Sequence, residues 1–210
     1  MINKIIILFK IARKIGSSDI VNIVDRTHKV PFFIKLFFSI VSLSFGKNQN
    51  KTKSSKDLSS TIQDLGTTFI KLGQFLATRP DIIGDELSKK LENLQDKLPP
   101  FSIYQAKEII KKDLGEDTFN SIINLSEPVA AASIAQVHKA QINDNGTIKD
   151  VAIKILRPDI KKIFNEEIDA MMLFAFLIES IIKKTKRLKL VEVVFLLKEI
   201  TNLEMDLRFE

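Results

Sequence analysis

Along much of this chain apolar residues recur at spacings of three and four, as they do on a helix buried along one side. The clearest run is Leu58, Ile62, Leu65, Phe69, Leu72 and Leu76, which predicts one amphipathic helix of about five turns. Beside it lies a polar stripe, Thr67, Lys71, Gln74 and Thr78. Lys71 and Gln74 are three apart and project together. Gly73 between them weakens a helix by about 1 kcal/mol relative to alanine, a cost that the close approach of another backbone would explain. Pro80 disfavours helical geometry before it and ends the run. Arg79 and Asp81 beside it read either as functional groups or as a local ion pair.

The same periodicity predicts helices over residues 2–14, from Ser17 or Ser18 to about His28, and over 32–44, 85–96 and 116–123. Ser102 is placed to cap a helix running to about Asp113. Ile160, Ile163, Phe164, Ile168, Met171, Met172, Ala175, Ile178 and Ile182 carry a long helix to about residue 184. The methionines read as core filler. From Leu190 a last helix turns Val193, Leu196, Leu197, Ile200, Leu203 and Leu207 inward. Residues 46–56, GKNQNKTKSSK, are polar and basic and read as a linker.

Between residues 128 and 158 the period changes from helical to two. In PVAAASIAQVHKA, Ile134, Gln136, His138 and Ala140 fall on one face of a strand, and Ala135, Val137 and Lys139 on the other. Asn145-Gly146 is a turn dipeptide. Val151 to Leu156, VAIKIL, reads as a buried strand carrying one lysine, and Arg157-Pro158 ends it. Lys154 in such a strand is costly unless an anion meets it; the plain alternative is an edge lysine reaching solvent. In kinase-like folds the anion is a nucleotide phosphate, with a helix glutamate as second partner. The loop over those phosphates would be Ala130-Ala131-Ala132-Ser133. Alanine is penalised at positive φ where glycine is not, so altered nucleotide handling is expected.

Taken together, PVAAASIAQVHKA followed by VAIKILRP resembles the UbiB family of atypical, kinase-like proteins of ubiquinone biosynthesis. Residues 65–101, LGTTFIKLGQFLATRPDIIGDELSKKLENLQDKLPPF, are similar to that family's KxGQ region, and residues 203–210, LEMDLRFE, to its ExD motif. The resemblance runs from Leu58 to the C-terminus and rests on three motifs in order. It implies an α+β fold in which a predominantly helical N-terminal extension packs on a kinase-like small lobe with a short antiparallel sheet. With the helices and linker read above, the expected parts are N-terminal helices (1–46), a linker (47–57), the KxGQ extension (58–127) and the small lobe (128–210). The implied nucleotide-binding residues are Val129, Ala130, Ala131, Ala132, Ser133, Ile134, Ala135, Gln136 and Lys154. The KxGQ residues are Lys71, Gly73 and Gln74, and the ExD residues are Glu204 and Asp206, expected to meet across the nucleotide cleft. Glu210 is the candidate partner of Lys154. For Glu204 the plain alternative is an i,i+4 pair with Arg208.

ATP and Mg²⁺ are the implied cofactors, and inner-membrane lipids or ubiquinone-synthesis proteins the implied partners. The implied place is the cytoplasmic face of the inner membrane, or the cytoplasm if the first helices are core. No HRD-like or DFG-like segment occurs in these 210 residues, so no catalytic or Mg²⁺-holding aspartate is assigned. The large lobe is expected to be missing and the small lobe to be truncated. An interaction module without enzymatic activity, or the remnant of a split gene, is the alternative.

Composition narrows this further. With no cysteine and only His28 and His138, thiolate and histidine-built metal sites and cysteine nucleophiles are excluded. A net charge of +6 favours an anionic surface only mildly. The lysines of residues 46–56 lack the interleaved aromatics of a nucleic-acid platform, so no nucleic acid is expected. Residues 183–189 read as a solvated basic connection or a contact for acidic lipid. Residues 31–46, PFFIKLFFSIVSLSFG, are shorter than the roughly 20 residues of a spanning helix. A core helix and an in-plane membrane helix both remain open for them.

Overall fold

The computed structural model describes residues 2–17, 58–92, 94, 98–144 and 146–209. The expectations for residues 18–57, and for Glu210, lie outside the described residues. The chain divides into two compact units, residues 1–95 with 161–210, and residues 96–160.

The first unit is helical. Its elements are α1 (Ile2–Ser17), α2 (Leu58–Leu65), α3 (Thr67–Ala77), α4 (Pro80–Ile83), α5 (Asp85–Glu92), most of α8 (Ile160–Ile181) and α9 (Leu190–Glu204). The single five-turn helix expected over residues 58–76 is two helices. Gly66, at φ 107° and ψ −177°, takes a conformation open only to glycine, and the helix restarts with Gly66 as its cap. The break exposes a carbonyl at the end of α2, and Lys14 Nζ donates to Leu65 O at 2.6 Å. Pro80 ends the run as predicted, and stands at the first position of α4, where its missing N–H costs nothing. Helix α5 stops at Glu92, short of the expected Asp96. Residues 183–188 form a 3₁₀ turn where a loop was expected.

α3 packs against α2, α5 and α9. Phe164, Ile168 and Ile70 are fully buried; burial of each such side chain is worth about 1.5–3 kcal/mol. An apolar cavity of about 290 Å³ lies among Ile11, Phe69, Leu72, Met171 and Val193. In α9 the inward residues are Val193, Val194, Leu197 and Thr201, followed by Met205 just beyond its end. Leu196, Ile200 and Leu203, expected inward, are exposed together with Phe195. This helix is apolar nearly all round, so periodicity alone could not choose its buried side.

The second unit is the sheet with two helices, α6 (Ile103–Leu114) and α7 (Glu116–Ser121). Ser102 caps α6 as expected, its hydroxyl accepting from Gln105 N. Strand β3 (Ala135–Asp144) is central and every pairing is antiparallel. β4 (Thr147–Leu156) runs the full length of one edge, while β2 (Pro128–Ala131) and the short β1 (Ile122–Ile123) share the other. β1 occupies the end of what was expected to be helix. Gly146, at φ 89°, donates its N–H to Asn143 Oδ1 and turns the β3–β4 hairpin. α6 packs on one sheet face through Ala106 and Ile110 against Ile153 and Ile155. The whole is thus mostly helical with a small antiparallel four-stranded sheet, as a kinase-like small lobe with added helices requires.

Candidate functional site

The β3–β4 register places Lys154 opposite Val137, and the β2–β3 register places Ala130 opposite the same valine. Directly paired residues share a face. Ala130, Val137 and Lys154 therefore form a row across three strands, on the face away from Ile153 and Ile155. Lys154 is half-buried in that row. Val137 was known from alternation only as a neighbour on the strand; the Asn145-Gly146 turn dipeptide in the sequence is the signal that points to its pairing.

The alanine-rich segment is part strand, part turn. Pro128–Ala131 pairs with β3, and the register slips at Val129, which is exposed as a bulged residue. Ala132, Ser133 and Ile134 make the turn, closed by Ala132 N donating to Ala135 O at 2.8 Å. No residue from 128 to 136 has positive φ. The penalty anticipated for alanine is thus avoided, because the turn never enters the region where glycine is needed.

Ser133, Ile134 and Ala135 are buried. Ala131 pairs with Gln136 on the opposite face from Lys154. Gln136 is 1% exposed: its Oε1 accepts from Phe101 N at 3.0 Å, and its Nε2 donates to Phe101 O and towards His138 Nε2. That fixes the imidazole tautomer, with His138 Nδ1 donating to Ser126 O at 2.8 Å. Gln136, expected to touch nucleotide, has its amide closed on the protein.

In the helical unit Lys71 Nζ lies 2.7 Å from Glu204 Oε2, with the lysine side chain 11% exposed and the glutamate 41%. The KxGQ and ExD segments, named separately in the sequence, meet through these two charges. The plainer alternative, an i,i+4 pair of Glu204 with Arg208, does not form. α9 ends at Glu204, and Asp206, with a 3₁₀ turn after it, captures Arg208 instead. The Arg208 side-chain hydrogen bonds outweigh partial burial and hold the Asp206 carboxyl down at about 2, aided by the Arg208 N–H and the charges of Arg208 and Lys161. Gly73 is buried, and a Cβ there would come within 2.5 Å of Leu94 Cδ2. A side chain rather than a backbone makes the close approach. Gln74 is half-buried. Arg79 and Asp81 form a bidentate local pair at 2.8 and 2.7 Å, the plainer of the two readings.

A row of small and branched apolar side chains ending in an ammonium fits the flat base and the phosphates of a nucleotide. Among the described residues no group of three His, Cys, Asp or Glu is placed to hold a metal. Among them, too, no helix is long and apolar enough to cross a membrane.

The family model described as ABC1 atypical kinase-like domain matches residues 93–210. Three proteins named "Probable protein kinase UbiB" are similar to the chain. That of Marinobacter nauticus is 37% identical over 183 residues, 87% of this chain and 33% of its own length. That of Shewanella frigidimarina is 39% identical, over 80% of this chain and 30% of its own length. That of Vibrio cholerae is 38% identical, over 80% and 31%. The chain thus spans about a third of the length of these relatives. No solved structure matches it.

Proposed function

The chain belongs to the UbiB family of ABC1 atypical kinase-like proteins, and from that premise we propose that it binds ATP in support of ubiquinone biosynthesis. The observation that carries this reading is the row Ala130, Val137, Lys154 beside the alanine turn. Lys154 meets the phosphates, the ammonium offsetting their charge. Val137 and Ala130 face the base, and the turn at 132–134 borders the phosphates. Lys71 and Glu204 tie the two further family motifs together. ATP supplies a transferable phosphoryl group when bound. These 210 residues hold and orient it, and the aspartates for metal binding and proton transfer are not assigned among them. A peripheral place on the cytoplasmic face of the inner membrane belongs to the same proposal.

The test is a titration of the purified 210-residue chain with a fluorescent ATP analogue. Lys154→Ala is expected to weaken binding at least about tenfold, the scale of one charge-assisted contact. Equal affinity in the two proteins rejects the proposal. Hydrolysis of MgATP is expected to be no faster than in the variant; clear turnover above it would place catalytic groups in this chain.

A second reading, a non-enzymatic interaction module, is favoured by the exposed Phe176, Leu177 and Ile181 of α8 and Phe195, Leu196 and Leu203 of α9. Co-sedimentation with anionic liposomes, with and without residues 1–46, tests it. Binding retained on deletion supports the α8 and α9 surface, binding lost on deletion moves the contact to residues 1–46, and binding by neither form rejects the reading.

A further inference from the structure

Arg157 stands just past the end of β4, three residues after Lys154. Its side chain turns back onto the alanine segment. Nε and Nη2 both donate to Ala132 O, at 3.0 and 2.8 Å. Nη1 donates to Pro99 O at 3.0 Å, and Nη2 also to Leu98 O at 3.3 Å. The guanidinium carbon lies 6.0 Å from the centre of the Phe101 ring. The backbone takes part as well, Arg157 N donating to Ile134 O at 2.9 Å. One residue therefore holds both ends of the three-residue turn and ties it to the segment leading into α6.

We propose that Arg157 is a positioning residue that fixes the alanine turn in its phosphate-facing shape. This rests on the nucleotide reading above and names what regulates the shape of that site. A guanidinium has five N–H groups in a rigid fork. Four of them are engaged on the three carbonyls, so Arg157 acts on nucleotide through the turn rather than by binding phosphate. A glycine loop folds over phosphates by its own conformational freedom. Here alanines make the backbone stiffer, and the remaining choice of turn geometry is made by an external clamp. Lysine cannot replace it, because its ammonium reaches as a point charge and cannot span Ala132 O, Pro99 O and Leu98 O together.

The experiment compares ATP with adenosine, which lacks phosphates, on the full 210-residue chain. For Arg157→Lys, ATP is expected to bind about tenfold more weakly while adenosine changes by less than about twofold, a loss on the scale of one charged hydrogen bond. Amide hydrogen exchange is expected to quicken at 132–135, with the β3–β4 ladder still protected. Unchanged ATP affinity overturns the proposal. So does an equal loss of ATP and adenosine, which marks a merely structural role. Arg157→Gln, uncharged and with fewer donors, carries the same expectations and decides the matter if the lysine variant does not fold. Lys154→Ala separates the two levels. If it binds ATP like wild type, the nucleotide reading fails and the clamp with it. If it binds weakly while both Arg157 variants bind normally, only the clamp fails.

Discussion

The two units secure their motif residues by different means. In the sheet unit, polar side chains close on backbone: the buried Gln136 on both groups of Phe101, the buried His138 on Ser126, and the half-buried Arg157 on Ala132, Pro99 and Leu98. In the helical unit, the KxGQ and ExD segments meet through a side-chain ion pair, Lys71 with Glu204, whose carboxylate is 41% exposed. A side chain bonded to backbone is tied to the path of the chain, and around the buried Gln136 and His138 each bond is costly to break. An ion pair with one partner in solvent is screened by salt and lost by a single change. The sheet unit is therefore the stiffer of the two at its motif. The helical unit holds its motif contact by an interaction that changes in salt can reach.

The largest expected effect tests the stiff side. Gln136→Leu removes the partner of His138 Nε2 and of the Phe101 N–H and C=O in a site closed to water. Urea denaturation should show a loss of about 2–4 kcal/mol, since unsatisfied buried groups cost about 1–3 kcal/mol each. On the other side, Glu204→Gln leaves Lys71 poorly solvated, but the exposure of Glu204 limits the loss to about 1–2 kcal/mol. A double-mutant cycle with Lys71→Met should give a coupling of about 1 kcal/mol that shrinks in high salt. A Glu204→Gln loss as large as that of Gln136→Leu, or a coupling insensitive to salt, breaks the contrast.

How much of this was legible before the fold was known follows the same division. The lysine strand, the hairpin and the Ser102 cap were readable because they rest on local chemistry: alternation, a turn dipeptide, a hydroxyl before a helix. The KxGQ and ExD segments were found as motifs, and the geometry pairs Lys71 with Glu204. The ends of elements were less legible. Gly66 looked like one more residue of a helix, because nothing in the spacing of Leu65 and Phe69 reveals a φ of 107°. Asp206 was weighed as a helix position, yet α9 ends at Glu204, so its partner is set by a turn. The roles of Gln136 and Arg157 were hidden altogether. Their partners include backbone atoms at Leu98, Pro99, Phe101 and Ala132, far away in sequence, and no side-chain pattern marks a carbonyl.

A smaller effect sharpens the picture of the KxGQ helix. Gly73→Ala gains about 1 kcal/mol of helix propensity, but the new methyl meets Leu94 Cδ2. Leu94 is the end of a flexible side chain, so the clash is partly relieved, and a net loss of about 1 kcal/mol or less is expected. In a Leu94→Ala background, itself destabilised, the same change should become neutral or stabilising. A penalty that persists there would assign the glycine to a constraint other than packing.

The smallest effect concerns Asp206, which separates a local pair from the tertiary one. Its carboxyl is held at about 2 by Arg208, below the ordinary value near 4. Between those two pH values the unfolded chain binds more protons than the folded one, so stability rises with pH across that window. The contribution is complete above the unfolded value and disappears as pH falls through about 2. Carboxyl carbon shifts followed by NMR should place the Asp206 midpoint at the low end of the window and, in Arg208→Gln, move it up towards the ordinary range. Because Lys71–Glu204 shares neither partner, the coupling of that pair should be unchanged in Arg208→Gln. A coupling that falls would mean that the two acidic residues of the motif act together.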